Sequence, residues 1–176
     1  MPATPPNPDV SQLPGASDAP LPNRRSVRLS GYDYSRAGWY FVTIMTQDRI
    51  PLFGHITAEA QLVPTPLGEV VCQGWHELTT RYDHLHADCW ILMPNHVHLI
   101  LGLLPINSQL AAKSLGQLVG AFKATCTRLS RPLRPTATSL WQRNYHEHII
   151  RTALDLENHR QYVRNNPRRW VEKSAA

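Results

Sequence analysis

The sequence predicts an α+β fold: an antiparallel sheet with helices packed on it. Short runs of β-formers, such as "WYFVTIMT" and "HVHLILG", alternate with longer stretches whose apolar residues recur at helical spacing. Each helical stretch opens on a Thr or Ser suited to cap it. The resulting order is β, β-hairpin, α, β, α, β, α, which suits one sheet covered by helices.

The elements follow from the residues in turn. Residues 1–22 hold seven prolines among Ala, Ser, Asn and Asp, so they are read as a disordered tail ahead of one domain, 23–173. The first strand runs from Trp39 to Thr46. "LFGHI" and "AQLV" form a weaker hairpin. Thr65-Pro66 opens a helix through "LGEVVCQGWHELTTRY", with Thr at the cap and Pro at the first position. "ADCWILM" and "HVHLILG" read as one long strand broken at Pro94. Ser114 caps a second helix, on which Leu115, Leu118, Val119, Phe122 and Cys126 mark the core face. "RPLRPTATS" is a loop and "LWQRNYHEHIIR" is extended. Thr152 caps a last helix, which Pro167 stops.

Composition narrows the function. The chain has 176 residues, 42% hydrophobic and 18% charged, a length and make-up for one ordinary globular domain. No apolar run is long enough to span a bilayer, and no charged-then-apolar leader follows Met1, so a membrane role is not expected. Cys72, Cys89 and Cys126 are too few and too scattered for a disulfide framework, which points to a reducing cytoplasm. The net charge of +5 is unevenly spread: residues 113–176 carry 12 bases against 4 acids, while 23–112 carry 6 against 7. A basic final third suits a polyanion, most often nucleic acid. Neither GxxxxGK[ST] nor GxGxxG occurs, so nucleotide-driven chemistry has no signature.

The most informative stretch is "MPNHVHLIL", Met93 to Leu101. Residues i and i+2 of a strand share a face, so His96 and His98 stand side by side in an apolar run, in a geometry suited to one divalent metal ion. The same spacing recurs at His84/His86, read as a surface loop, and at His146/His148, which is structural or lines a groove. On the last helix Tyr162 and Asn166 lie four apart and share a face. Two readings stand for them: a nucleophile beside a metal-binding amide, or a core aromatic and a C-terminal cap. Arg160, Arg164, Arg168 and Arg169 around that face favour a phosphate substrate.

"RRSVRLSGYDYSRAGWYFVTI", "MPNHVHLI", "LWQRNYHEHIIR" and "YVRNNPRRW", in this order, resemble the REP-associated tyrosine transposases, single-tyrosine members of the HUH (His-hydrophobic-His) nucleases. The likeness covers about residues 23–171. It implies a ferredoxin-like HUH fold in which His96, His98 and Asn166 bind Mg²⁺ or Mn²⁺ and Tyr162 attacks single-stranded DNA. It further implies a repetitive palindromic hairpin as target, a 5′-phosphotyrosine intermediate, and work at the nucleoid. Tyr145 is the rival nucleophile. For DNA contacts the expectation is a basic arm of Arg24, Arg25 and Arg28, with Trp141, Arg143, Arg164 and Arg168 from the final third. Trp39, Tyr40 and Tyr145 are further stacking candidates, although for each aromatic alone core packing is the preferred role. Monomer and homodimer both stay open. The competing functions are a binding protein of the same fold without chemistry, a metal-dependent hydrolase using water, and histidines that merely satisfy one another in the core.

Overall fold

Trp39, Phe41, Thr43 and Met45 alternate with Tyr40, Val42 and Ile44 along β1 (Gly38–Met45), so this strand supplies side chains to both faces of a sheet. The structure is a computed structural model and describes residues 29, 31–105, 113–134 and 138–174. In it β1 lies between β5 (His96–Leu103) and β6 (His146–Ile150), and β4 (Leu85–Met93) flanks β5, all antiparallel, in the order β4-β5-β1-β6. A separate small hairpin pairs β2 (Gly54–Ile56) with β3 (Leu62–Pro64). Every residue of β5 is buried, as its unbroken apolar run requires of a strand covered on both faces.

The stretch expected as one broken strand is a hairpin. Met93 pairs with His96 across the two-residue turn Pro94-Asn95. Pro94 has no amide to donate to a ladder, so it sits at the corner, where its carbonyl accepts from Phe53 N at 2.9 Å and that of Asn95 from Thr46 N at 2.9 Å.

The helix openings are those predicted. Thr65 caps α1 (Pro66–Arg81), Ser114 caps α2 (Leu115–Leu129) through a reciprocal box with Gln117, and Thr152 caps α3 (Ala153–Arg164). Helices α1 and α2 cover one face of the sheet, where Val71, Leu78, Leu118 and Phe122 pack with Val42, Ile44, Val97, Leu99 and Leu101. Gly74 allows their close approach, because a Cβ there would lie 2.5 Å from Cys126 Sγ. On the opposite face Leu156 and Val163 of α3 pack on Trp39, Ile100 and Ile150. The sheet is therefore the middle of three layers.

The helix that Thr152 opens does end ahead of Pro167, but a further helix follows it. Asn165 alone separates α3 from α4 (Asn166–Ser174), and Pro167 occupies the first turn of α4, where a missing amide leaves no bond unmade. The segment expected as extended over 140–151 is strand only in β6. Ahead of it Asn144 turns the chain at φ 67, and Trp141 makes a lone bridge to Thr46. The proline-rich tail, 1–22, and Arg24, Arg25 and Arg28 lie outside the described residues. No helix among the described residues is long and apolar enough to cross a membrane.

One ion pair fixes α3 to the sheet. Arg160 donates from Nε to Asp88 Oδ2 at 2.8 Å and from Nη2 to Oδ1 at 2.6 Å, with side chains 19% and 11% exposed. Removing Asp88 from so sheltered a fork leaves Arg160 with the longer contact to Glu157, at 3.6 Å. Asp88→Ala is expected to cost about 3 kcal/mol of stability, read from urea unfolding.

Candidate active site

The hairpin turn puts His96 on the first residue of β5, and the strand's two-residue period sets His98 beside it on the α3 face. Their Nε2 atoms are 3.0 Å apart and their ring centroids 4.5 Å, and both residues are buried. The outer nitrogens are spoken for. Asn95 Nδ2 donates to Arg49 O at 3.0 Å, which turns its Oδ1 toward His96 Nδ1 at 2.7 Å. That oxygen can only accept, so Nδ1 of His96 carries the proton and Nε2 keeps a lone pair. His98 Nδ1 meets Thr43 Oγ1 at 2.8 Å, and a hydroxyl can serve as donor or acceptor. With the His98 proton on Nε2, the two rings hydrogen-bond each other. With it on Nδ1, two lone pairs converge on one point.

Burial pushes His96 down to about 4, against a smaller upward pull from its hydrogen bond with Asn166. Burial, with His96 alongside, pushes His98 down to about 3. Both imidazoles are therefore neutral at neutral pH, the form a metal requires. A stability effect follows from the same shifts. Below 6.5 the unfolded imidazoles take up protons that the folded ones refuse, so stability is lost as pH falls from 6.5 toward the folded value near 4. In EDTA the urea midpoint should drop between pH 7 and pH 5, by about 2 kcal/mol per histidine. His98→Asn should flatten that slope.

Tyr162, on the last turn of α3, is 38% exposed and presents its ring edgewise to His98, with centroids 5.3 Å apart. Phe41 supports both rings, at 5.1 Å from His98 and 5.8 Å from Tyr162. The Arg169 guanidinium carbon lies 5.3 Å from the centre of the Tyr162 ring. Asn166, 8% exposed at the start of α4, hydrogen-bonds the His96 ring. His96, His98, Tyr162 and Asn166 line one open cavity of about 660 Å³, with Arg49, Arg169 and Lys173 at its wall.

The chain has recognisable relatives, although no family model matches it. It is 34% identical over 171 residues to an uncharacterized protein of Haemophilus influenzae, covering 88% of this chain and 94% of that protein. It is 26% identical over 146 residues to a protein of the same bacterium named "Putative REP-associated tyrosine transposase", covering 79% and 76%. Its fold matches the solved structure of a REP-associated tyrosine transposase bound to a REP hairpin, with a TM-score of 0.56, 21% identity, and coverage of 80% and 74%. The chain is similar in sequence to a relative named as a REP-associated tyrosine transposase and shares the fold of one.

The four residues singled out from the sequence for metal and nucleophile meet in one cavity, while the expected DNA contacts scatter. Arg164 lies 3.8 Å from Glu157 and Arg168 lies 3.3 Å from Glu172, and neither lines the cavity. Arg143 lines a neighbouring recess of about 160 Å³ that also holds Tyr145. Tyr145 belongs to the core on the α1/α2 face, so it does not share the histidines' cavity. Trp141 is 4% exposed and packs against Phe53 at 5.2 Å and Phe122 at 5.8 Å, so its ring has no free face for a base. Trp39 and Tyr40 are likewise buried.

Of the other cavity residues, His146 was left between a structural and a groove-lining role, and it lines the cavity, whereas Lys173 and Arg49 were missed from sequence. His146 sits opposite Thr43, which itself sits opposite His98, so one row of the sheet reads His98, Thr43, His146. Its signal was the repeated His-x-His spacing. Lys173 was hidden because the helix was expected to end at Pro167, although Tyr162, Asn166, Arg169 and Lys173 keep helical spacing across the break. Arg49 follows Asp48, and the pair has φ values of 57 and 53, a left-handed turn with no clear sequence mark.

Proposed function

We propose that the chain is a metal-dependent endonuclease and strand transferase that cleaves single-stranded DNA beside a palindromic hairpin and rejoins it through Tyr162. The observation that carries this reading is the meeting of two neutral, convergent imidazoles with an exposed phenol in one basic cavity. The relative named for REP-associated transposition and the solved structure of one on its REP hairpin support the choice of substrate.

The donor set fits a divalent ion. His96 Nε2 and His98 Nε2 would hold it with the Asn166 amide oxygen, a set that suits Mn²⁺ and accommodates Mg²⁺ less readily. When bound, such an ion supplies Lewis-acid polarisation of the scissile phosphate. Asn95 and Thr43 orient the two rings from behind, as metal-binding histidines need.

The chain's own residues account for the rest. Arg49 and Lys173 hold phosphate oxygens in the cavity. Tyr162 Oη forms the new bond to phosphorus as the bond from phosphorus to the 3′ oxygen breaks. The phenol's proton passes to solvent, and the departing oxygen takes one up as a free 3′-hydroxyl. Arg169 stabilises the phenolate in passing. Attack by a 3′-hydroxyl on the phosphotyrosine reverses the step and releases Tyr162, so bond energy is conserved and no nucleotide is consumed.

The test is covalent capture. The protein is incubated with an oligonucleotide hairpin carrying a single-stranded foot, in Mn²⁺ or in EDTA, and resolved on a denaturing gel. A protein–DNA band in Mn²⁺ alone is the expected result. Tight hairpin binding with no band, and no cleaved strand, would make the chain a binding protein of this fold. Cleaved strand with no band would point to hydrolysis by water.

A further inference from the structure

The last of the His-x-His repeats splits its two residues between different places. His146 lines the cavity described above, but His148, one pleat farther along β6, stands opposite Phe41 and faces the first turns of α3. There it meets two other donors. His148 Nε2 is 2.9 Å from Asp155 Oδ2, and His159 Nδ1 is 3.0 Å from Asp155 Oδ1. The two imidazoles stack, with centroids 4.7 Å apart and planes 22° from parallel. One ligand atom from each of the three residues lies within 4.8 Å of the others.

We propose that His148, Asp155 and His159 form a second divalent-cation site, selective for a borderline transition ion such as Zn²⁺, that fastens the start of α3 to β6. Two imidazoles and a carboxylate are a common zinc donor set, with room for water at the fourth position. Ligands held about 2.0–2.1 Å from a tetrahedral ion lie about 3.3 Å from one another, so donors now within 4.8 Å would draw together around it, and His159 Nδ1 would give up the proton it shares with Asp155 O at 2.9 Å. His148 has a half-exposed side chain, so an ion and its water can enter from solvent. Among the described residues this is the grouping of three His, Cys, Asp or Glu side chains able to share an ion, and it is distinct from the His96–His98 pair.

The two places are close but separate. The Phe41 ring stands between them, 5.1 Å from the His98 ring and 4.8 Å from the His159 ring. His159 is one helical turn before Tyr162, so a cation held here braces the helix that carries the phenol without touching the cavity. Asp155 is already held in a coordinating position. Its backbone amide is capped by Thr152, and its Oδ2 accepts from Arg151 N at 3.3 Å, which fixes the carboxylate at the helix opening.

The test uses the full, untagged chain carrying His96→Gln and His98→Gln, so that the first pair binds nothing. Titration with Co²⁺, followed by its visible absorption, should show one equivalent bound. Adding His148→Gln or His159→Gln should weaken binding by at least about 100-fold. Zn²⁺ should raise the melting temperature of the double variant and leave that of the His148→Gln triple variant unchanged. His148 is exposed enough that its replacement leaves the core intact, and circular dichroism checks each fold. No Co²⁺ band in the double variant, or a band indifferent to both further substitutions, would overturn the proposal and leave the three residues a hydrogen-bonded clasp. Neither result bears on cleavage by Tyr162, which is read on a different protein and a different gel.

Discussion

Tyr162→Phe should lose covalent DNA capture completely and cleavage by at least about 10⁴-fold, the scale on which an essential nucleophile is missed. Its fold should not suffer. The substitution removes one oxygen from a ring that is 38% exposed, and keeps the edgewise contacts with His98 and Phe41. Stability should therefore stay within about 0.5 kcal/mol, and hairpin affinity should be nearly unchanged, because the phosphate-holding cations remain. Denaturing gels, thermal melts and a binding titration read the three quantities on one preparation. A band that persists in Tyr162→Phe would move the nucleophile elsewhere. Tyr145 would be the next residue to replace, even though it faces the other core.

The joint replacement His96→Ala/His98→Ala is the second large effect. It should reduce Mn²⁺-dependent cleavage by at least about 10³-fold, since both nitrogen donors leave at once. Unlike the tyrosine change, it should also cost stability. Thr43 Oγ1 and Asn95 Oδ1 each lose the ring nitrogen they now meet, at 2.8 and 2.7 Å. Orphaned polar atoms in such a place cost about 1–3 kcal/mol each, although the open cavity admits water that offsets part of it. The direction of the pH dependence separates the two contributions: this variant loses the slope below pH 6.5 that the buried imidazoles impose. Cleavage that survives the double change in Mn²⁺ would exclude the pair as the metal site.

The layers of the fold were legible because local chemistry and tertiary packing agree. Thr65, Ser114 and Thr152 each cap the helix expected of them, and the five apolar residues marked on α2 are all buried. Disagreement arose at prolines. Pro94 was read as a break within a strand and Pro167 as the stop of the last helix, yet each begins something: a hairpin corner in one case and a fresh helix in the other. A missing amide says that a ladder or helix cannot run through unchanged, and tertiary contacts decide which element comes next. Of the candidate site, period-two and period-four spacing put His96 with His98 and Tyr162 with Asn166 on shared faces, while their roles came from the resemblance of the surrounding segments to a known family. Arg49 depends on a left-handed turn and on the course of the chain between β1 and β2, which no spacing encodes. The aromatic expectations were weak for the opposite reason, since burial and base stacking draw on the same residue types; the structure places Trp141 in the core.

The two-residue turn at Pro94-Asn95 makes the site a matter of parity. Both histidines occupy even positions of a strand whose odd positions, Val97, Leu99 and Leu101, face the other way into a closed core. An insertion or deletion of one residue at that corner would shift the count by one and exchange the two sets wholesale, putting imidazoles into the hydrocarbon and valine and leucine into the cavity. Two residues would restore the parity but pull His96 away from the end of the sheet where α3 gives way to α4. The turn is held on both sides, by Phe53 and by Thr46, and its asparagine reaches back to Arg49 while aligning His96. Length variation in this chain therefore has somewhere it can go and somewhere it cannot: connections far from the hairpin can lengthen freely, whereas this corner counts residues as strictly as a reading frame.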